Sequence, residues 1–171
     1  HASNGQSYRI SVKREHGGLV SNHLHTAMQE GDCLELGPPC GEFVLDQGVD
    51  PLVLVTAGVG LTPAMAMLNA AAGLRDIHFV HACKNEAQHS FKASTEELAR
   101  KHSNIQVAYV YEDRDGLLDR QTLAKHLPNN AQVYYLGPPG FMQHVKSMLD
   151  ELGVPSTRQH VEFFGPAQTL Q

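Results

Sequence analysis

From Pro51 onward the sequence alternates short β-like runs with helical segments, and this alternation constrains the fold more than any other feature. Helices are predicted over residues 63–72, about 91–102, 119–126 and 139–152. Strands rich in Val, Ile, Tyr and Phe that alternate with such helices indicate a parallel sheet covered on both faces. We therefore predict an α/β fold with a doubly wound, five-stranded parallel sheet in the order 3-2-1-4-5. The β-like runs are LVLVTA, IHFVHA, IQVAYVY, QVYYLG and QHVEFF.

The first fifty residues follow a different pattern. YRISVKRE alternates like a strand with one wet face, and DCLELGPPCGEFVL predicts two short strands around a Gly-Pro-Pro turn. SNHLHTAM predicts a short helix that Ser21 caps and that ends before Gly31. Two or three strands and one helix do not close a barrel or a sandwich. We therefore divide the chain into an incomplete lobe, residues 1–48, and an α/β domain, residues 49–171.

Composition excludes several classes of protein. The chain has 13 basic and 18 acidic residues, a net charge of -5, and no Lys- or Arg-rich run, which argues against a nucleic-acid partner. Its longest apolar stretch, PAMAML, is too short to span a membrane. Cys33, Cys40 and Cys83 are odd in number and widely spaced, so we expect a reducing cytoplasm. Neither His-Glu-x-x-His nor Cys-x-x-Cys occurs, and we predict no metal site.

The turn AGVGLTP, which follows the first predicted strand, is a candidate phosphate cradle. A phosphate near backbone needs N–H donors without side chains in the way and the positive end of a helix. Gly58 and Gly60 supply the open backbone, Thr62 is predicted to cap the next helix, and Pro63 takes its first turn. The packing role of a third glycine can fall to the small residues at 64 and 66, Ala64 and Ala66. A bare strand-to-helix turn is the alternative, but the carboxyl end of the first strand favours a ligand.

Two further glycine-rich segments support a binding role. YYLGPPGFM follows the fourth strand, which borders the first in the predicted order, so both loops open onto one crevice at the switch point. The alternative is a Gly/Pro turn that only redirects the chain. GGLVSN, residues 17–22, places glycines before a helix start and is a third candidate anion seat.

Taken together, four motifs are similar to those of the ferredoxin–NADP reductase family. The motifs are YRISVKREHGGLVSNHLH, AGVGLTPAMAML, YYLGPPGFM and the final HVEFFGP. They resemble most the reductase part of flavohaemoglobins, the nitric oxide dioxygenases, over nearly the whole chain. In this family a flavin-binding barrel precedes a nicotinamide-binding domain. The resemblance therefore implies that residues 1–48 are the C-terminal part of an FAD-binding β-barrel domain and that residues 49–171 bind NAD(P)H.

The resemblance also implies roles for individual residues. It places the FAD pyrophosphate on Gly18–Asn22, the NAD(P)H pyrophosphate on Gly58–Pro63 and the nicotinamide near Gly137–Phe141. Phe164 would cover the flavin ring and Glu162 would lie near its redox-active edge, so these two are the implied catalytic residues. The implied cofactor-binding residues are Gly18, Leu19, Val20, Ser21, Asn22, Gly58, Val59, Gly60, Leu61, Thr62, Pro63, Gly137, Pro138, Gly140, Phe141, Phe163, Phe164, Gly165 and Pro166.

The sequence departs from the family pattern at three points. The Arg-x-Tyr-Ser motif that grips the flavin is not in this sequence, so we expect the chain alone to hold FAD poorly and to need the missing N-terminal barrel segment. Leu136 and Phe163 stand where the family usually has cysteine. We expect Phe163 to pack mainly in the core, because adjacent strand residues face opposite sides of a sheet.

By resemblance, the chain is an NAD(P)H- and FAD-dependent oxidoreductase module. Hydride would pass from the nicotinamide to FAD, and single electrons would pass on to the haem of a globin domain absent from this sequence, where nitric oxide is oxidised to nitrate. NADH is favoured over NADPH, because HACKNEAQ offers only Lys84 to a ribose 2′-phosphate. Two alternatives stay open: a reductase that feeds another electron acceptor, such as an oxygenase or an iron–sulfur protein, and a catalytically silent nucleotide-binding fragment.

Overall fold

The computed structural model describes residues 6–38 and 41–162. Contacts divide the chain into two units, one that ends at Val44 and one that begins at Leu45. The predicted boundary at residues 48 and 49 stays a prediction about domains.

The second unit contains a five-stranded sheet in which all neighbouring strands are parallel. The order is β3-β2-β1-β4-β5, which confirms the predicted order. The last predicted strand is regular only as far as Val161, and Phe163 and Phe164 lie outside the described residues. The strands are β1 (Leu52–Ala57), β2 (Ile77–Cys83), β3 (Ile105–Tyr111), β4 (Gln132–Leu136) and β5 (Gln159–Val161).

The four helices predicted between and after these strands are confirmed, with small shifts of their ends, whereas a further short helix at Glu112–Asp115 was not predicted. Asp119 caps one of them as predicted, since its carboxylate accepts the N–H of Thr122 at 2.7 Å. Gly153, at φ +75°, follows the end of the last helix. The helices are α1 (Leu19–Thr26), α2 (Leu61–Ala71), α3 (Lys92–Lys101), α4 (Glu112–Asp115), α5 (Arg120–Lys125) and α6 (Pro139–Glu151), with single 3₁₀ turns at Gly58–Gly60, Glu86–Gln88 and Ser156–Arg158.

The core lies around the central strand. Every residue of β1 is buried, which explains why LVLVTA reads as a continuous apolar run rather than as an alternating one. Leu68 of α2 and Leu149 of α6 are fully buried beside this sheet. Within the described ranges, no helix has the length and apolar character needed to cross a membrane.

The first unit corrects the sequence interpretation. In its described residues, neither YRISVKRE nor DCLELGPPCGEFVL forms a strand, and α1 is the regular element found there. A strand needs a neighbour for its N–H and C=O groups, and no ladder partner is present among these residues. Tyr8 and Ile10, which alternation assigned to a buried face, are 82% and 60% exposed. The strand predictions are therefore wrong for this structure, and the assignment to a barrel stays a prediction.

An ion pair between Arg75 and Asp46 stabilises the segment that leads into β1. The guanidinium of Arg75, whose side chain is 3% exposed, donates to both carboxylate oxygens of Asp46 at 3.0 and 3.1 Å and to the Gly48 carbonyl at 3.2 Å. The Tyr134 hydroxyl accepts the Asp46 N–H at 2.9 Å. Burial opposes the ionisation of Asp46, but the Gly48 N–H and Arg75 outweigh it and lower the pKa of this carboxyl.

Replacing Arg75 with methionine is expected to lower the free energy of unfolding by about 2–3 kcal/mol, because it leaves a partly buried carboxylate without its cation. Lys101→Met is the matched control, since Lys101 pairs with Glu97 at 2.6 Å on an exposed face. Exposed pairs contribute about 0.2–1 kcal/mol. Urea unfolding of both variants measures the difference. Equal losses of unfolding free energy would show that the Arg75–Asp46 pair contributes no more than an exposed ion pair.

Candidate functional site

The loops that follow β1 and β4 lie side by side. Thr56 pairs with Leu136 in the parallel ladder, so the two strands end at the same edge of the sheet. A Cβ added to Gly60 would lie 2.3 Å from the Leu136 carbonyl oxygen, and one added to Gly137 would lie 3.1 Å from the Ala57 Cβ. The two glycine-rich loops therefore meet, as predicted, at the point where the strand order reverses, which is where open α/β sheets bind ligands.

The two glycines of the first loop have different tasks. Gly58 has φ +54°, and a Cβ there would meet nothing within 4 Å. Gly60 has an ordinary φ of -57° but is buried against the end of β4. Positive φ is the conformation that favours glycine, so Gly58 shapes the turn, whereas Gly60 permits close packing.

The start of α2 differs from the prediction in two details. Gly60, and not Thr62, is the N-cap, because the Thr62 hydroxyl donates to the Val59 carbonyl at 3.2 Å. Pro63 lies in the first turn, as predicted. Ala64 is buried, but Ala66 is exposed, so only Ala64 can replace the packing role of a third glycine.

The second loop leads into α6. Pro138 is the N-cap of α6 and Pro139 is its first residue. The N–H groups of the first residues of a helix have no intrahelical partners. Phe141 is half-buried next to Gly137. Gly140 has open space around the position of a Cβ. Two helices, α2 and α6, thus begin at one edge of the sheet, and their positive ends suit an anion such as a pyrophosphate.

The segment GGLVSN forms the start of α1 in the first unit. The helix begins at Leu19 with Gly18 as its N-cap, so the prediction that Ser21 caps it is wrong. The Ser21 hydroxyl instead accepts the Glu15 N–H at 3.2 Å, and the Asn22 amide donates to the Gly18 carbonyl at 2.6 Å. Leu19 and Val20 are exposed. Since both polar side chains bind backbone, this segment offers an anion the N–H groups of the first helical turn.

A charged cluster that the sequence interpretation missed lies at the ends of β2 and β3. Arg114 of α4 stands over the Tyr111 ring with its guanidinium carbon 4.8 Å from the centroid, and it binds both carboxylate oxygens of Asp115 at 2.8 Å. Lys92 pairs with Glu86 nearby. The interaction of Arg114 with Asp115 lowers the pKa of that carboxyl to about 2, helped by the Tyr111 N–H. In the sequence these residues form two separate short charged runs. Nothing in the sequence indicates that Arg114 stacks on the Tyr111 ring at the edge where both runs lie.

Next to this cluster is a buried polar chain. Thr56 and His81 share a hydrogen bond of 2.8 Å, the His81 and His89 rings are 4.6 Å apart, and His89 bonds the Tyr111 hydroxyl at 3.0 Å. Burial, followed by the charge of His89, lowers the pKa of His81 to about 3. Both histidines are therefore neutral near pH 7. Within the described residues, no group of three or more His, Cys, Asp or Glu side chains is arranged to hold a metal.

Glu162 is half-buried directly after β5, whose Val161 pairs with Tyr135 of β4. The implied flavin-facing residues after it, Phe163, Phe164, Gly165 and Pro166, lie outside the described residues.

A five-stranded sheet with two helix starts over its switch point defines a nucleotide-binding domain of the doubly wound class. Residues 54–147 match the family model described as "Oxidoreductase NAD-binding domain". The chain belongs to this oxidoreductase family, as its motifs indicated.

Individual relatives agree with this assignment. The chain is 48% identical, over 99% of its length, to a flavohemoprotein of Pseudomonas aeruginosa, of which it covers 46%. It superimposes with a TM-score of 0.89 and 37% identity on the flavohem-like FAD/NAD-binding domain of a nitric oxide dioxygenase from Vibrio cholerae, covering 97% of this chain and 75% of that one. A flavohemoglobin of Malassezia yamatoensis with bound FAD and heme gives a TM-score of 0.63 at 31% identity, over 71% of this chain and 33% of that one. The chain thus spans about half the length of the curated relatives it matches.

Proposed function

We propose that the chain is the FAD- and NAD(P)H-dependent reductase module of a nitric oxide dioxygenase. The observation that carries this proposal is the contact of Gly60 with the end of β4, which joins two glycine-rich loops and two helix starts at the switch point. Bound nicotinamide and flavin would supply the hydride and single-electron chemistry. The protein's contribution would be to bind both cofactors.

Each segment has a proposed part in binding these cofactors. Gly58–Pro63 holds the NAD(P)H pyrophosphate through backbone N–H groups and the start of α2, and Gly137–Phe141 borders the nicotinamide. The first turn of α1, Gly18–Asn22, holds the FAD pyrophosphate. Glu162 follows β5 at the carboxyl edge of the sheet, and its proposed place is near the redox-active edge of the flavin. The role of covering the flavin, proposed for Phe164, comes from the family resemblance, because Phe164 lies outside the described residues.

The electron acceptor is proposed from the relatives. The flavohemoglobin of Malassezia yamatoensis binds heme as well as FAD. We therefore assign the acceptor to the haem of a globin domain and the overall reaction to the oxidation of nitric oxide. An oxygenase or an iron–sulfur acceptor is the second candidate. A cytoplasmic location stays a prediction from cysteine usage.

The substitution Gly58→Ala tests whether the turn after β1 binds nucleotide or only redirects the chain. We expect it to weaken NADH binding about tenfold, or ~1.4 kcal/mol, because a Cβ at φ +54° strains the turn that presents the N–H groups. Gly153→Ala is the matched control, since Gly153 also has positive φ and open space but follows the carboxyl end of α6, away from the crevice.

Calorimetric titration with NADH, together with the melting temperature, tests this pair. Both variants should lose similar stability, and only Gly58→Ala should lose affinity. Equal NADH affinities in the two variants would show that Gly58 is not part of the NADH site. An unaltered chain that binds no NADH would overturn the proposed function.

A further inference from the structure

We propose that Glu86 and Asp115 are the residues that exclude a 2′-phosphorylated coenzyme, because they occupy the two cations, Lys92 and Arg114, that would otherwise bind the phosphate. This inference rests on the proposed function and adds to it the chemistry that selects the coenzyme. It also implies that the chain contains a latent site for a ribose 2′-phosphate.

The position of the cluster follows from the sheet. In doubly wound folds the pyrophosphate lies over the first strand and the adenosine ribose near the end of the second. Ala57, which precedes the Gly58 turn, pairs with Ala82 of β2, and Cys83 at the end of β2 pairs with Tyr111 of β3. Glu86 follows β2 and Arg114 follows β3, so both side chains lie at the same edge as the glycine-rich turn.

Two of the three cations at this edge, Lys92 and Arg114, already have anionic partners. Lys92 Nζ binds Glu86 Oε1 and lies 3.8 Å from Glu96 Oε1. The Arg114 guanidinium binds Asp115 through two parallel bonds of 2.8 Å, from Nε and from a terminal nitrogen. This is the paired geometry by which arginine also binds phosphate. A phosphate would therefore have to displace two carboxylates.

Tyr111 holds the Arg114–Asp115 pair in place. Its side chain is buried, its hydroxyl binds His89 at 3.0 Å, and its ring supports the Arg114 guanidinium. Burial raises the pKa of Tyr111. Among the nearby charges, Lys92 lowers this pKa and Glu86 raises it. The Asp113 N–H donates to the Lys84 carbonyl at 3.1 Å, so the loops that carry the two ion pairs are in contact at this edge of the sheet.

The excess of acidic side chains at this edge of the sheet also disfavours a 2′-phosphate. Residues 84–96 and 112–115 contribute more acidic than basic side chains, and a 2′-phosphate adds about -1.5 to -2 charges. A ribose 2′-hydroxyl, in contrast, can donate a hydrogen bond to a carboxylate. The acidic side chains are Glu86, Glu96, Glu112, Asp113 and Asp115, and the basic ones are Lys84, Lys92 and Arg114.

The double substitution E86Q/D115N tests this inference. Both amides keep the size of the side chain and an acceptor oxygen, so Asn at 115 can still accept the Tyr111 N–H that Asp115 accepts at 3.0 Å. We expect the affinity for adenosine 2′,5′-bisphosphate to rise at least tenfold, and the affinity for AMP to change less than threefold. Each single substitution should give a smaller rise, and added salt should reduce it.

Glu97→Gln is the control for net charge in each single substitution, because it too removes one negative charge, here from the exposed Glu97–Lys101 pair at the other end of α3. An equal rise in this control would assign the effect to overall charge and overturn the inference. So would unchanged bisphosphate affinity in a folded double variant that still binds AMP and NADH. Failure of the unaltered chain to bind either AMP or NADH would instead overturn the proposed function on which the inference rests.

Discussion

Gly60→Ala is expected to lower the free energy of unfolding by about 3 kcal/mol and to weaken NADH binding at least tenfold. The φ of -57° suits alanine, so backbone strain is not the cause. The added Cβ would lie 2.3 Å from the Leu136 carbonyl oxygen and 2.8 Å from the Gly137 nitrogen. Both neighbours are backbone, so the turn after β1 and the loop after β4 must separate, and overpacking of this kind costs roughly 1–3 kcal/mol or more.

Gly140→Ala is the control for this substitution. Gly140 lies in the first turn of α6, where a Cβ meets nothing within 4 Å, so the change should leave stability equal or raise it by up to about 1 kcal/mol. Urea unfolding of both variants gives the comparison of stability, and the NADH affinity of Gly60→Ala is compared with that of the unaltered chain. A Gly60→Ala variant as stable as the unaltered chain would mean that the loops after β1 and β4 do not approach this closely.

This contact also shows where sequence interpretation ends. The sequence predicted a phosphate cradle at AGVGLTP because a glycine pair after a strand is a local pattern. It could not divide the tasks between the two glycines, since Gly60 is buried against the end of β4, which is distant in sequence. The sheet order was predictable because apolar runs and turn residues are local, whereas the packing of Gly60 depends on which strand lies next to β1.

The first unit shows the opposite error. Alternation in YRISVKRE was interpreted as a strand, but alternation reports only that one face is apolar. A ladder also needs a second edge, and the described residues of this unit form no ladder. Tyr8 and Ile10 are exposed rather than packed on one face. The charged cluster was missed on similar grounds, because Arg114, Tyr111 and His89 meet only when β2 and β3 pair.

The histidines that the motifs left unexplained predict an acid-sensitive fold. His81 is 1% exposed, and its pKa falls to about 3 through burial and the neighbouring His89, against about 6.5 in an unfolded chain. A group whose pKa is lower in the folded state stabilises the fold fully above its unfolded pKa. That stability is lost as the pH falls from about 6.5 toward 3. From His81 alone we expect a loss of about 2 kcal/mol between pH 7.5 and pH 5.

This window separates the histidines from the carboxylates. The pKa values of Asp46 and Asp115 are also lowered, so their contributions disappear only below about pH 4. His89 and His78, whose pKa values burial lowers, change stability in the same direction as His81. Between pH 7.5 and pH 5, the loss of stability therefore reports protonation of histidine.

His81→Gln isolates the largest contribution. Glutamine keeps a polar partner for Thr56 but takes up no proton, so this variant should be less stable at pH 7.5 and yet lose about 2 kcal/mol less on acidification to pH 5. His16→Gln, at an exposed position, is the control for the loss of one histidine. Urea unfolding at pH 7.5, 6 and 5 measures all three chains. Equal slopes for His81→Gln and the unaltered chain would show that His81 takes up its proton as readily in the folded state as in the unfolded one, and the buried chain from Thr56 to Tyr111 would then have no part in the stability of the nucleotide-binding edge.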